Sequence, residues 1–126
     1  DIIYKDINSS ILITGLSVKP DESFIDKVIN ENKVNYKVNI MHYPDEFDNI
    51  KKYNYDLVLA GHSHNGQIAL PVYGAVITPE NAKEYYKPYY KIDNTSFYIS
   101  SGVGTTKFDY RFLNKPSFNL YRILKK

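Results

Sequence analysis

Three histidines occur among the 126 residues, His42, His62 and His64, and cysteine is absent. Each histidine falls just past the C-terminal end of a segment that reads as a β-strand: His42 follows 36–41 (YKVNIM), and His62 and His64 follow 56–60 (DLVLA). In open α/β sheets that edge is where ligands bind. Two strands separated by one helix are expected to be neighbours, so the two loops converge. In extended backbone, side chains two residues apart project on the same side. The Cα atoms of His62 and His64 would then lie about 6.6 Å apart, at ~3.3 Å per residue. Two imidazoles so placed could each hold one ion of a pair spaced ~3.5–4 Å. Gly61 allows the backbone to turn sharply beside a ligand, and Asn65-Gly66 is a turn dipeptide, since Asn tolerates left-handed backbone. The alternative is that strand-end histidines merely cap or hydrogen-bond the backbone, and the residues alone leave both readings standing.

Charge limits what these side chains can do unaided. Neutral imidazoles leave two divalent cations uncompensated, and mixed metal sites normally include carboxylates. The acids near the histidines in sequence are Asp45, Glu46, Asp48 and Asp56. Asp45 reads as a helix N-cap, Glu46 and Asp48 as solvated helix residues, and Asp56 as the far end of the strand that leads to His62. The carboxylates of a metal site are therefore expected from elsewhere. A structural zinc site would need a fourth ligand such as Asp45. Ser63 has no free base beside it if its neighbours hold metals, which disfavours a serine hydrolase.

Other polar groups near this edge are Gln67, which follows the turn and points either into the cleft or along a strand edge, and Arg111, which could meet a phosphate bidentately or serve on the surface. The Gly102–Thr106 run lacks the helix and the Lys-Ser/Thr of a P-loop and reads as a tight connection near the site. The tyrosine-rich stretch 84–91 reads as a solvated loop packed by its own rings.

The elements that must position these groups follow from periodicity. Residues 10–14 (SILIT) read as a buried strand ended by Gly15. Pro20-Asp21-Glu22 signals a helix start, and Phe24, Ile25, Val28 and Ile29 form an apolar stripe ending near Asn32. Pro44-Asp45 opens a second short helix with Phe47, Ile50 and Tyr53 inward. Strand, helix, strand, helix, strand argues for α/β layering with a parallel sheet. The second half changes character: 67–70 and 74–78 bracket a hairpin turn, 95–100 and 117–124 read as strands, and 79–94 as a long surface loop. Lys125-Lys126 reads as a solvated terminus.

One domain is expected at this length. With 43% hydrophobic and 24% charged residues the composition is that of a globular chain. The absence of cysteine excludes disulfide scaffolds and thiolate sites. Sixteen basic against fourteen acidic residues leave +2, too little for an electrostatic nucleic-acid grip. No apolar run approaches the ~18 residues of a membrane span, and no signal peptide is visible. The first residue is Asp1, so the chain is expected to be processed, trimmed or a piece of something longer. Thirteen tyrosines, with abundant Lys, Asn and Ile, suit an AT-rich coding sequence and define no aromatic binding surface.

Residues 55–71 (YDLVLAGHSHNGQIALP) resemble the signature segment of calcineurin-like metallophosphoesterases, a hydrophobic strand followed by Gly-His-Thr-His-Gly-Gly-Gln. Residues 40–45 (IMHYPD) resemble the preceding family segment, and 100–116 (SSGVGTTKFDYRFLNKP) resemble the later Ser-x-Gly-x-Gly, Arg-Phe and Asn-x-Pro-Glu. The three segments occur in family order. The resemblance implies half of a four-layer α/β/β/α sandwich, with a mixed sheet, two helices in the first half and mostly strands in the second. It implies one C-terminal part of a domain spanning 1–126. His42 and His62 would bind one metal and His64 the other, with Gly61, Asn65 and Gly66 shaping the turn and Gln67 and Arg111 meeting substrate. The family's Asp-x-His, Gly-Asp-x-x-Asp and Gly-Asn-His motifs are absent from these 126 residues. Asn65 stands in place of a glycine and Ser117 in place of a glutamate. In the complete enzyme the resemblance implies two ions (Mn, Fe or Zn) whose bridging hydroxide attacks a phosphate mono- or diester. This chain alone would bind metal weakly or not at all, turn over no substrate, and present an apolar sheet face to the missing N-terminal half. A non-catalytic or single-metal module is the alternative.

Overall fold

The computed structural model describes residues 2–6 (backbone), 9–18, 21–106 and 109–124. The expectations for Pro20 and Lys125-Lys126, and the Lys107-Phe108 part of the third family-like segment, lie outside the described residues. Among the described residues, eight strands and two α-helices run in the order β1 (Ile2–Asp6), β2 (Ser9–Gly15), α1 (Glu22–Glu31), β3 (Tyr36–Ile40), α2 (Phe47–Ile50), β4 (Leu57–Ala60), β5 (Ala69–Leu70), β6 (Gly74–Ala75), β7 (Tyr89–Ile92) and β8 (Thr95–Ile99). Six strands form one sheet in the order β1-β2-β3-β4-β8-β7. The four central strands are mutually parallel, while the edge strands β1 and β7 run antiparallel to their neighbours. The chain is a mixed α/β structure consistent with half of an α/β sandwich.

Helix α1 begins where Asp21 caps it, its carboxylate accepting the backbone N–H groups of Ser23 at 3.0 Å and Phe24 at 3.3 Å. These bonds satisfy donors the first turn would otherwise leave orphaned. The inward stripe is narrower than its periodicity predicts. Ile25 is buried, but Phe24 is 50% exposed, because only one face of a short surface helix meets the sheet. The second helical segment is α2 flanked by 3₁₀ turns at Pro44–Glu46 and Lys51–Tyr53, and Phe47, Ile50 and Tyr53 all point inward. Spacing by three suits that tight winding. Both helices lie on one face of the sheet, where Ile25, Phe47 and Ile50 pack with Val58, Phe97 and Ile99.

The C-terminal half departs from the sequence reading in two places. Residues 89–92, expected within a surface loop, pair with β8 as β7. The Tyr85 and Tyr90 rings lie 5.5 and 5.9 Å from that of Phe97, so the tyrosines extend the core instead of packing only on one another. Conversely, the described residues 117–124 form no strand. Their alternation is real, but Phe118 and Leu120 are largely exposed, and the segment lies over the sheet face, with Tyr121 against Tyr98, and pairs with no strand.

The other sheet face is apolar. The strand register puts Ile13, Val38 and Leu57 in one row across it, and Ile40, Leu59 and Tyr98 in another. Tyr121 of the C-terminal segment lies over Tyr98, with ring centres 5.2 Å apart. A cleft of about 410 Å³ remains between Ile40, Leu59, Phe118 and Tyr121.

Candidate metal centre

Strands β3 and β4 are parallel neighbours, so the turns that follow them open at the same edge. This brings the rings of His42 and His62 together with centres 4.8 Å apart, and the Tyr43 ring packs against both, 4.5 Å from His62 and 5.1 Å from His42. Burial, reinforced by the His62 ring, lowers the pKa of His42 and favours its neutral, metal-competent form. The backbone carbonyl of Glu80 lies 2.8 Å from Nε2 of His62. A carbonyl can only accept, so the neutral ring carries its proton on Nε2 and exposes its lone pair on Nδ1.

The Gly61–Gln67 segment is not extended. His62, His64, Asn65 and Gln67 have φ of 61°, 47°, 48° and 52°, and Gly66 has φ 75°. Left-handed backbone costs a non-glycine residue of order 1–3 kcal/mol. Four such residues in six positions make this the most strained described stretch of the chain. The sharp turn expected at Gly61 falls on His62, while Asn65 adopts the left-handed geometry expected of it. The turn is held from outside. Asn114 donates its amide to the His64 carbonyl. Ser63 accepts from Asn65 N at 3.0 Å and donates to Tyr86 O at 3.1 Å. Gly66 sits so close to the β5–β6 hairpin that an added Cβ would lie 2.3 Å from that of Ala75.

Because the backbone curls, His62 and His64 do not project in parallel. His64 faces Arg111, whose Nη2 lies 3.1 Å from its Nδ1. Arginine only donates, so the Nδ1 lone pair is engaged there. Burial, and next the Arg111 charge, lower the pKa of His64. Arg111 is itself tied to the Gly102–Gly104 loop, with Nη2 2.7 Å from Ser101 O and Nε 3.1 Å from Gly104 O. Its Nη1 is buried with no hydrogen-bond partner. Gln67 is buried and its amide is engaged, donating to Tyr110 O at 2.7 Å and accepting from Thr106 N at 2.8 Å. A cavity of about 310 Å³ opens beside His64 and Gln67, walled by Ile77, Pro79 and Lys83.

Asp45 does not cap a helix, since the 3₁₀ turn begins at Pro44 with Tyr43 before it. Its carboxylate instead receives backbone N–H groups from Lys83, Glu84 and Tyr85. Asp56 is occupied at the opposite strand end, accepting from Lys37 N at 2.7 Å. Among the described residues, no group of three His, Asp or Glu side chains converges as a metal site. Sequence reasoning missed the Glu80 carbonyl, the Tyr43 ring and Asn114 as partners of the histidine turns. Asn114 was nonetheless visible as the Asn of the Asn-x-Pro segment.

In open α/β sheets the carboxyl edge of adjacent parallel strands, where these histidines gather, is where ligands bind. The relatives are narrower. Over 88 residues the chain is 36% identical to the uncharacterized metallophosphoesterase YkuE of Bacillus subtilis, covering 70% of this chain and 31% of that protein. It is 31% identical over 105 residues to an uncharacterized metallophosphoesterase of Helicobacter pylori, covering 81% and 27%. It is 30% identical over 66 residues to the phosphodiesterase YaeI of Escherichia coli, covering 52% and 24%. No family model and no solved structure matches. The chain belongs to the calcineurin-like metallophosphoesterase superfamily, and the alignments span less than a third of the length of these relatives.

Proposed function

We propose that this chain supplies the histidine side of a two-metal centre that hydrolyses phosphate mono- or diesters. The observation that carries the reading is the pairing of the His42 and His62 rings, 4.8 Å apart at the ends of adjacent parallel strands, in a chain of metallophosphoesterase ancestry. The donor chemistry fits: neutral imidazoles suit manganese, iron or zinc, and Nδ1 of His62 is left free by the Glu80 carbonyl. The fit is one-sided, because no described carboxylate joins the pair. The remaining ligands come from the N-terminal half of the domain, which packs on the apolar sheet face around Ile40, Leu59 and Tyr98. Bound ions of this kind supply Lewis acidity and make water a competent nucleophile near neutral pH.

The chain's own residues bind and orient. His42 and His62 hold one ion. His64 serves the other once Arg111 leaves its Nδ1. Arg111, released toward an incoming phosphoryl group, brings the orphaned Nη1 donors to its oxygens. Gln67 shapes the adjacent cavity by holding the Thr106–Tyr110 loop. The test is hydrolysis of an aryl phosphate and an aryl phosphodiester by the product of the full reading frame that encodes this chain. Turnover abolished by a chelator and by His62→Ala supports the proposal, and turnover indifferent to either overturns it. A single-ion or non-catalytic module is the second reading, favoured by the lack of a three-ligand cluster among the described residues. A full-length product that never binds more than one ion would establish it.

A further inference from the structure

Asp45 lies three residues beyond His42, and its side chain reaches across to the segment that contacts His62. Its Oδ2 accepts the backbone N–H of Lys83 at 2.7 Å, and its Oδ1 those of Glu84 at 3.1 Å and Tyr85 at 3.0 Å. Its own N–H donates to Asn81 O at 3.2 Å. Four bonds from one residue therefore pin positions 81–85. The segment is buttressed below, where Ala82 is fully buried and the Tyr85 ring packs 5.5 Å from that of Phe47. Glu80 is the residue immediately before this pinned stretch, and its carbonyl takes the Nε2 proton of His62 at 2.8 Å.

We propose that Asp45 is a positioning residue for His62: by clamping the 81–85 backbone it holds the Glu80 carbonyl against Nε2, fixing the ring orientation and the tautomer that leaves Nδ1 bare. The aspartate thus links the turn carrying His42 to the ring of His62, so both histidines are set by one anchor. An exposed loop without that clamp would let the carbonyl drift and the proton move between ring nitrogens. A partner carbonyl or carboxylate that fixes the tautomer of a metal-binding histidine is a general device for tuning such sites. The proposal deepens the metal-centre reading, but it concerns a hydrogen-bond chain present without any ion.

The experiment is imidazole-resolved nitrogen–proton NMR on the metal-free product of the full reading frame that encodes this chain, with amide hydrogen exchange in the same samples. In the unsubstituted protein His62 is expected to be protonated at Nε2, and the amides of Lys83, Glu84 and Tyr85 to be slowed. Asp45→Asn keeps the shape, gives up the charge and one acceptor oxygen, and is expected to speed exchange at those amides at least about tenfold, from the loss of charge-assisted bonds. His62 then becomes a mixture of tautomers. Asp48→Ala, which removes the partner of the Tyr85 hydroxyl but leaves the backbone clamp, is expected to leave His62 unchanged. Faster exchange at the three amides with His62 still protonated purely on Nε2 overturns the proposal. So does a His62 protonated on Nδ1 in the unsubstituted protein, a result that stands even if Asp45→Asn fails to fold. No ion is added, so failure of metal binding leaves these outcomes unaffected.

Discussion

Replacing Gly66 with alanine tests whether the left-handed turn after β4 is a constructed element. At φ 75° an L-residue pays the left-handed penalty of about 1–2 kcal/mol. The new Cβ would also sit 2.3 Å from Ala75 Cβ and 3.0 Å from both Ala75 Cα and the Ile77 carbonyl oxygen. None of these is the end of a flexible side chain, so the β5–β6 hairpin must move, and overpacking of this kind costs about 1–3 kcal/mol. Together the two effects take roughly 2–5 kcal/mol from a domain whose total stability is of order 5–15 kcal/mol. In urea this corresponds to a midpoint lowered by roughly 1–3 M. Gly61→Ala is the matched control. No atom lies within 4 Å of its added Cβ, and its φ is not left-handed, so its midpoint is expected to stay near that of the parent. Equal midpoints for Gly66→Ala and Gly61→Ala, whether both unchanged or both lowered, would refute the reasoning.

Burial lowers the pKa of both His42 and His64 below the ordinary value of 6.5, so the unfolded chain takes up protons before the folded one. Stability is then full above the unfolded value and declines as pH falls through the lowered folded values, with urea midpoints dropping as pH falls below the ordinary histidine value of 6.5. His42→Gln and His64→Gln should each flatten that slope, and an unchanged slope would contradict it. Phe97→Ala empties the centre of the aromatic cluster formed with Phe47, Tyr85 and Tyr90, and is expected to cost about 3–5 kcal/mol by denaturant unfolding. A loss below about 1 kcal/mol would mean that the loop tyrosines do not close the core.

The alternating helix and strand pattern of residues 9–60 was readable because each element there follows its own period, and neighbouring parallel strands bury their faces against helices α1 and α2. The approach of the turn carrying His42 to the turn carrying His62 and His64 followed from that topology. The tyrosine-rich stretch misled because Tyr89–Ile92 is an edge strand, whose pairing with β8 depends on a partner next to it in sequence but invisible to periodicity. Residues 117–124 misled in the opposite direction: they alternate, but the segment lies over the sheet face at Tyr98 and pairs with no strand. The geometry of His62 and His64 was hidden for a third reason. An extended conformation is the default for a strand end, and contacts distant in sequence, among them those from Asn114 and the hairpin at Ala75, hold the segment in its left-handed turn. Asp45 carries the same lesson, since its partners lie 38 to 40 residues away.

The pairing of His42 with His62 can be tested directly by locating an ion. Crystals of the full reading-frame product, grown with zinc and measured at its absorption edge, would show anomalous density wherever zinc is held. The account predicts density about 2.0–2.1 Å from one ring nitrogen of each of His42 and His62. Zinc held elsewhere, with the two rings bonded to protein groups alone, would contradict it.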